Sequence, residues 1–135
     1  MMKAVYVGRH VLLPLQEKGI KELGLEISKK VENLPEGTEL NALINQLKNE
    51  GIQAVVTIAL PPHLLSVLSR VFKVYVFEMK SSTVSSVDEA EKWVAECPEK
   101  RTYLPGRPGE PVRVLEFIGI NEVKVVIESK RVWTA

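Results

Sequence analysis

The stretch Ile52–Ala59, with the sequence Ile-Gln-Ala-Val-Val-Thr-Ile-Ala, decides the fold class of this 135-residue chain. It is almost continuously apolar and rich in β-branched residues, which favours a strand that is buried on both faces. Such strands lie in the middle of parallel sheets that helices cover on both sides. Pro61 and Pro62 follow at once, and proline is favoured in the first turn of a helix. The run therefore predicts a central parallel strand followed by a helix.

Strands and helices alternate outward from this run. A helix is predicted to begin at Thr38, as its N-cap, and to end at Gly51, because apolar residues recur between them at helical spacing. Pro14 and Gly24 are typical of the start and the end of an earlier helix. The predicted strands are residues 3–8, 25–31, 52–59 and 73–78.

The C-terminal third departs from this alternation. Ser86 and Glu89 form a capping-box pattern for a helix that ends at Pro98. After a Pro/Gly-rich loop, residues 112–118 and 123–132 are predicted to form a β-hairpin. The whole chain, residues 1–135, is interpreted as one α/β domain. Its predicted fold is a Rossmann-like, mainly parallel sheet flanked by helices, to which the hairpin adds antiparallel strands.

Composition excludes several classes of function. The 18 basic residues nearly balance the 17 acidic ones, so no strong field favours nucleic acid and no nucleic-acid partner is expected. No apolar run reaches the roughly 20 residues that span a membrane, so no membrane association is expected. Asp88 is the only aspartate, which argues against aspartyl phosphorylation and two-aspartate proteolysis.

The usage of other residue types bears on the environment of the protein. Cys97 is the only cysteine, so the chain has no internal disulfide, and a reducing cytoplasmic location is the simplest expectation. Abundant Glu and Lys with few Asn, Gln and Cys are typical of thermophilic proteins.

Chemically capable residues follow the predicted strands, where ligands of open α/β sheets bind. Arg9 after the first strand is a candidate anion ligand. His10 and His63 are candidate catalytic bases, because histidine titrates near neutral pH. The alternative is that Gly8-Arg9-His10 is an ordinary strand-ending turn and that His63 lies incidentally at a rigid Pro-Pro helix start.

Lys80, Ser81 and Ser82 are candidate phosphate ligands, because an ammonium group and hydroxyl groups can donate to a phosphate. Residues 81–85 are predicted to form a loop, and the alternative is that these residues are only a mobile polar loop before a capped helix. The loop Pro98–Pro111 is interpreted as a lid that carries the ligand-binding residues Arg101, Tyr103 and Arg107, or alternatively as a crossover or a dimer contact.

No motif identifies a cofactor. After Gly8 the glycines of a dinucleotide-binding turn are missing, since Val11 and Leu13 stand in their place. His10, His63 and Glu78 are the only plausible metal-binding trio, and without local ligand spacing no metal is expected.

Two functions from different classes follow. The first is binding of a small anionic ligand, nucleotide-like or phosphate-like, at the carboxyl edge of the parallel strands; its enzymatic version is a hydrolase or transferase with a histidine general base. The alternative is a non-catalytic interaction protein that dimerises through the C-terminal hairpin and presents an apolar face around Val126 and Trp133. A homo-oligomer, most simply a homodimer, is expected.

Overall fold

Six strands and four helices follow one another in the computed structural model, which describes residues 1–135. No helix combines the length and the apolar character that crossing a bilayer requires. The strands are β1 (Met2–Val7), β2 (Leu25–Val31), β3 (Ala54–Thr57), β4 (Lys73–Val84), β5 (Arg101–Leu104) and β6 (Val112–Val123), and the helices are α1 (Pro14–Glu22), α2 (Thr38–Asn49), α3 (Pro62–Ser69) and α4 (Val87–Glu96).

One mixed sheet contains all six strands, in the order β2-β1-β3-β4-β6-β5. The first four strands of that order run parallel, while β6 is antiparallel to both of its neighbours. The prediction of an α/β fold with a mainly parallel sheet and antiparallel C-terminal strands is confirmed at this level. The central run Ile52–Ala59 supplies β3, whose four residues are all buried.

Helices cover both faces of the parallel strands. On one face, Ile20 of α1 packs with Tyr6, Val56 and their neighbours. On the other face, α2 and α3 pack against the remaining strand residues; this cluster includes Val5, Val55 and Val74 of the sheet, Leu40, Ile44 and Leu47 of α2, and Leu64 and Leu68 of α3.

The handedness of the connections explains this division. Helix α1 connects β1 to β2 on one side of it, whereas α2 connects β2 to β3 on the other side of β1. Because the two connections run in opposite directions along the sheet, right-handed crossovers place the two helices on opposite faces. Helix α3 continues in the same direction along the sheet as α2. The same rule therefore places α3 on the face of α2.

The antiparallel part extends the sheet beyond the end of β3. β4 pairs with β3 only over residues 73–76, but it pairs with β6 as far as Val84. Helix α4 lies on this extension, where Ala90 packs against Val112 and Val114. A bulge interrupts the long ladder, because Glu78 pairs with Gly119 whereas Met79 pairs with Phe117, which leaves Ile118 as the extra residue.

Three predictions about the C-terminal third are wrong. Residues 81–85 do not form a loop, since Ser81–Val84 belong to β4 and pair with β6. The predicted loop Pro98–Pro111 contains strand β5. The hairpin is formed by β5 and β6, not by residues 112–118 and 123–132.

The physical reason for the last error lies in the length of the partner strand. Val123 pairs with Val74, next to the first residue of β4, so no strand remains to pair with the residues that follow. Residues 124–135, called the C-terminal segment below, have no regular secondary structure. Their β-branched residues favour a strand, but a strand needs a neighbour.

Candidate functional site

Arg9, His10 and His63 leave the sheet at the same edge. They follow β1 and β3, which are neighbouring parallel strands with Val7 opposite Thr57. The connections to α1 and α3 then diverge to opposite faces, which makes this edge the switch point where open α/β sheets bind ligands. All three side chains are exposed. The topology therefore brings the two histidine loops to one edge of the sheet.

A buried tyrosine lies beneath this edge. Tyr6 is 1% exposed, and its Oη has no hydrogen-bond partner. A Cβ atom added to Gly8 would lie 2.8 Å from that Oη, so glycine is the residue that fits above the ring. Burial raises the pKa of the Tyr6 phenol. At the same edge, the Thr57 hydroxyl donates to the Val7 carbonyl at 2.9 Å and joins the ends of the two strands.

The helix N-termini at this edge offer few donors to an anion. In α1, the Leu13 N–H donates to Oε1 of Gln16 at 2.8 Å, and the Leu15 N–H donates to the Glu99 carbonyl at 3.0 Å. In α3, the Leu64 N–H donates to the Pro61 carbonyl. Because proline has no N–H, His63 supplies the one remaining donor of that first turn. A backbone cradle for phosphate is therefore not formed here.

Lys80, Ser81 and Ser82 do not converge on one point. They lie in β4, where successive side chains point to opposite faces, so Lys80 and Ser82 share a face that Ser81 does not. The Ser81 hydroxyl accepts a hydrogen bond from Nε of Arg113 at 2.8 Å. The alternative interpretation of these residues as a polar loop is wrong, because they belong to a strand.

Arg101 is held in place by the packing of α4 rather than carried on a lid. Its Nε lies 2.8 Å from Oε1 of Glu116 and its Nη1 lies 3.0 Å from Oε2 of Glu96. The guanidinium stacks 4.3 Å from the centroid of the Trp93 ring. The hydrogen bond from Arg101 lowers the pKa of the Glu116 carboxyl, and the same bond raises the pKa of Arg101. This group joins β5, β6 and α4.

Tyr103 and Arg107 have different surroundings. Tyr103 belongs to β5 and donates from its hydroxyl to Oε1 of Glu91 at 3.3 Å; desolvation raises the pKa of that phenol, and Glu91 raises it further. Arg107 alone of the three predicted lid residues lies in irregular structure. It borders an open cavity of about 550 Å³ between the β5–β6 turn and the start of α4.

The main cavities of the molecule lie away from the two histidines. Four open cavities have volumes of about 380–550 Å³, and none of them is lined by Arg9, His10, His63 or Lys80. No three His, Cys, Asp or Glu side chains are grouped closely enough to hold a metal ion, so the trio of His10, His63 and Glu78 does not assemble.

A second surface lies on the outer side of β6. The short strand β5 pairs with residues 113–116 of β6, and the Phe117 N–H donates to the Lys100 carbonyl. From Ile118 to Val123 the outer edge of β6 has no partner strand. The name β6 edge is used below for residues 118–123. Such an edge presents a row of unpaired N–H and C=O groups to a second chain.

The C-terminal segment continues this edge with exposed apolar residues. Val126 is 76% exposed, Ile127 is 74% exposed and Trp133 is 78% exposed. Single exposed apolar residues are common on protein surfaces, but Val125, Val126 and Ile127 are consecutive and begin one residue after the unpaired strand ends. The sequence predicted an apolar face around Val126 and Trp133; it did not reveal the open edge beside them.

An apolar groove runs along the same edge, between α1 and β6. Its volume is about 540 Å³, and its lining includes Leu15, Leu23, Ile118 and Ile120. A Cβ atom on Gly19 would lie 2.9 Å from Cδ1 of Ile120, so this glycine lets α1 approach β6 closely. Leu23 and Ile118 are about half exposed.

One signal in the sequence could have located this surface. The β-branched run of β6 is much longer than its hairpin partner β5, which leaves part of β6 without a neighbour on that side.

No family model, curated protein or solved structure matches the chain.

Proposed function

We propose that the chain is a protein-interaction module that associates through the β6 edge and the C-terminal segment. One observation carries this proposal: an unpaired strand edge continues directly into a run of exposed apolar residues, Val125, Val126 and Ile127. Unpaired edges recruit further strands, and main-chain hydrogen bonds supply much of the affinity in such complexes.

The energetics explain why the C-terminal segment needs a partner. Fixing the backbone of one residue costs about 1–2 kcal/mol. Full burial of a valine or isoleucine side chain stabilises a protein by about 1.5–3 kcal/mol, but the isolated chain offers no surface that buries Val126 and Ile127. A partner strand supplies both that surface and the missing backbone hydrogen bonds.

The size of the native assembly tests this proposal. In a native extract, the chain is expected to elute well above its 15.1 kDa mass, and Val126→Ser/Ile127→Ser is expected to elute as the free chain. The matched control is Val11→Ser/Val87→Ser, which removes two exposed valines elsewhere and should leave the assembly intact. Elution of the unaltered chain at its monomer mass would contradict the proposal.

A second candidate function is binding of a small anion at the edge shared by β1 and β3. The observation in its favour is that neighbouring strands carry Arg9, His10 and His63 to one edge, where all three side chains are exposed. Its enzymatic version is a hydrolase or transferase with a histidine base.

A thermal-shift titration with pyrophosphate and nucleotides tests this second function. A ligand at 100 times its dissociation constant stabilises a protein by about 2.7 kcal/mol. The shift should vanish in His10→Ala/His63→Ala, whereas an equal shift in that variant would place the ligand elsewhere.

Two further expectations accompany these proposals. The 2-1-3-4 order of the parallel strands supports a Rossmann-like description of that part of the sheet. The single cysteine, Cys97, suits a reducing compartment such as the cytoplasm.

A further inference from the structure

We infer that the partner of the β6 edge is a second copy of this chain, paired antiparallel about a two-fold axis at Val123. This inference rests on the proposed function, because it names the partner of the same surface. The paired residues are 119–127 in each copy, which join the regular part of the β6 edge to the apolar start of the C-terminal segment.

Symmetry limits the registers that are possible. In a two-fold pair, residue i of one copy lies opposite residue j of the other, and j lies opposite i. Directly opposed residues in a sheet share a face, so i and j must both be odd or both be even. The axis therefore passes through one residue and its own counterpart.

Charge selects one register among the neighbouring ones. With the axis at Val123, Glu122 lies opposite Lys124 of the other copy, and this ion pair occurs twice. An axis at Glu122 would oppose two glutamates, and an axis at Lys124 would oppose two lysines. Like charges directly opposite each other destabilise a strand pair, whereas opposite charges stabilise it.

The apolar residues then find partners. On the face of α1, Ile120 lies opposite Val126 of the other copy, beside the groove that Leu23 borders. On the other face, Ile127 lies opposite Gly119, which has no side chain. Val126, which is 76% exposed in the single chain, is thereby covered by Ile120, and the absence of a side chain at Gly119 leaves space for Ile127.

The rest of the fold sets the ends of the paired region. Ile118 is the bulged residue of β6, so the regular ladder begins at Gly119. Glu116 is already paired with Arg101 of β5, and in this register it would lie opposite residue 130 of the other copy. The pairing must therefore stop before that residue, which agrees with a ladder that ends near Ile127.

Charge reversal tests the partner and the register together. Sedimentation analysis of the purified chain is expected to show a dimer of twice 15.1 kDa. Glu122→Lys and Lys124→Glu should each raise the dissociation constant by about tenfold, and the double variant Glu122→Lys/Lys124→Glu should restore it. Lys130→Glu, a matched reversal outside the ladder, should leave it unchanged.

Disulfide trapping tests the register independently. Opposed Cα atoms of antiparallel strands lie about 4.5–5.5 Å apart, within the range that a disulfide spans. In a Cys97→Ser background, Val123→Cys should form a linked dimer on mild oxidation. Val125→Cys should not link to itself, since its counterpart lies roughly 13 Å along the strand, but it should link to Asn121→Cys when the two proteins are mixed.

The outcomes separate this inference from the proposed function. A purified chain that stays monomeric and gives no Val123→Cys dimer overturns the inference. A larger native assembly that is lost in Val126→Ser/Ile127→Ser would then still support an interaction module with a different protein partner. If neither charge reversal changes the dissociation constant of the dimer, and disulfides form only at other positions, the register and the assignment of this edge are overturned.

Discussion

At the scale of single residues, Gly8 and Tyr6 determine how tightly the end of β1 packs. Because a Cβ on Gly8 would lie 2.8 Å from the Tyr6 Oη, Gly8→Ala is expected to lower the free energy of unfolding by about 1–3 kcal/mol. Tyr6→Phe removes a buried hydroxyl that has no partner, so it should be neutral or stabilising. Urea unfolding of both variants and of the double variant measures the coupling, and the double variant should recover part of the loss. A clear loss of stability in Tyr6→Phe alone would show that the hydroxyl has a bonding partner.

Glu116 gives the antiparallel part of the sheet a dependence on pH. The hydrogen bond from Arg101 lowers the pKa of this carboxyl in the folded chain, while its pKa in the unfolded chain is about 4.3. The stabilisation is therefore fully present above about pH 4.3 and is lost as the pH falls through the lower folded pKa. Glu116→Gln should lower the melting temperature at pH 7, and the difference should shrink towards pH 3. Glu32→Gln, at an exposed glutamate that is in none of the four ion pairs, should leave the melting temperature at pH 7 unchanged. A pH-independent difference for Glu116→Gln would contradict the assignment.

At the scale of elements, the local sequence predicted the features that local interactions determine, such as the residues that end helices. Gly24 and Gly51 follow α1 and α2 with positive φ angles of +75° and +82°, as expected of residues that end helices. The first turn of α2 differs by one position, because Gly37 is the N-cap and Thr38 is already helical. Ser81–Val84 could not be recognised as strand, since their extended form depends on pairing with residues 112–115 that are distant in sequence.

The predicted N-cap of α4 at Ser86 is confirmed, although the Glu89 carboxylate accepts a hydrogen bond from the N–H of Ser85 and not from that of Ser86. The Ser86 hydroxyl accepts a hydrogen bond from the Glu89 N–H at 3.2 Å, so Ser86→Ala should lower the free energy of unfolding by about 1 kcal/mol. Ser85→Ala is the matched control, because residue 85 uses its backbone N–H to bind the Glu89 carboxylate and that donor survives the change. Equal losses in the two variants would show that the Ser86 hydroxyl is not the cap that matters.

At the scale of the whole molecule, the sequence predicted the position of the candidate residues in the sheet better than it predicted which side chains contact each other. The order of the strands puts Arg9, His10 and His63 at one edge, as the alternation of strands and helices suggested. The sequence could not show that Arg101 forms an ion pair with Glu116 and stacks on the ring of Trp93, because that packing depends on where α4 lies. The predicted hairpin also left out the β6 edge, which exists because β5 is much shorter than β6.

Pairing of two chains along that edge has a consequence for backbone exchange. Outward-facing amides of residues 119–127 lack partners in the single chain and acquire them in the dimer, so their hydrogen exchange should slow as the protein concentration rises through the dissociation constant. Amides of the outer strand β5, residues 101–104, lie outside the paired region and should exchange at a rate that does not depend on concentration. The Glu122→Lys variant should lose the concentration dependence, and Glu122→Lys/Lys124→Glu should regain it. Exchange at residues 119–127 that stays constant while the chain dimerises would place the contact on another surface, because strand pairing cannot form without engaging these amides.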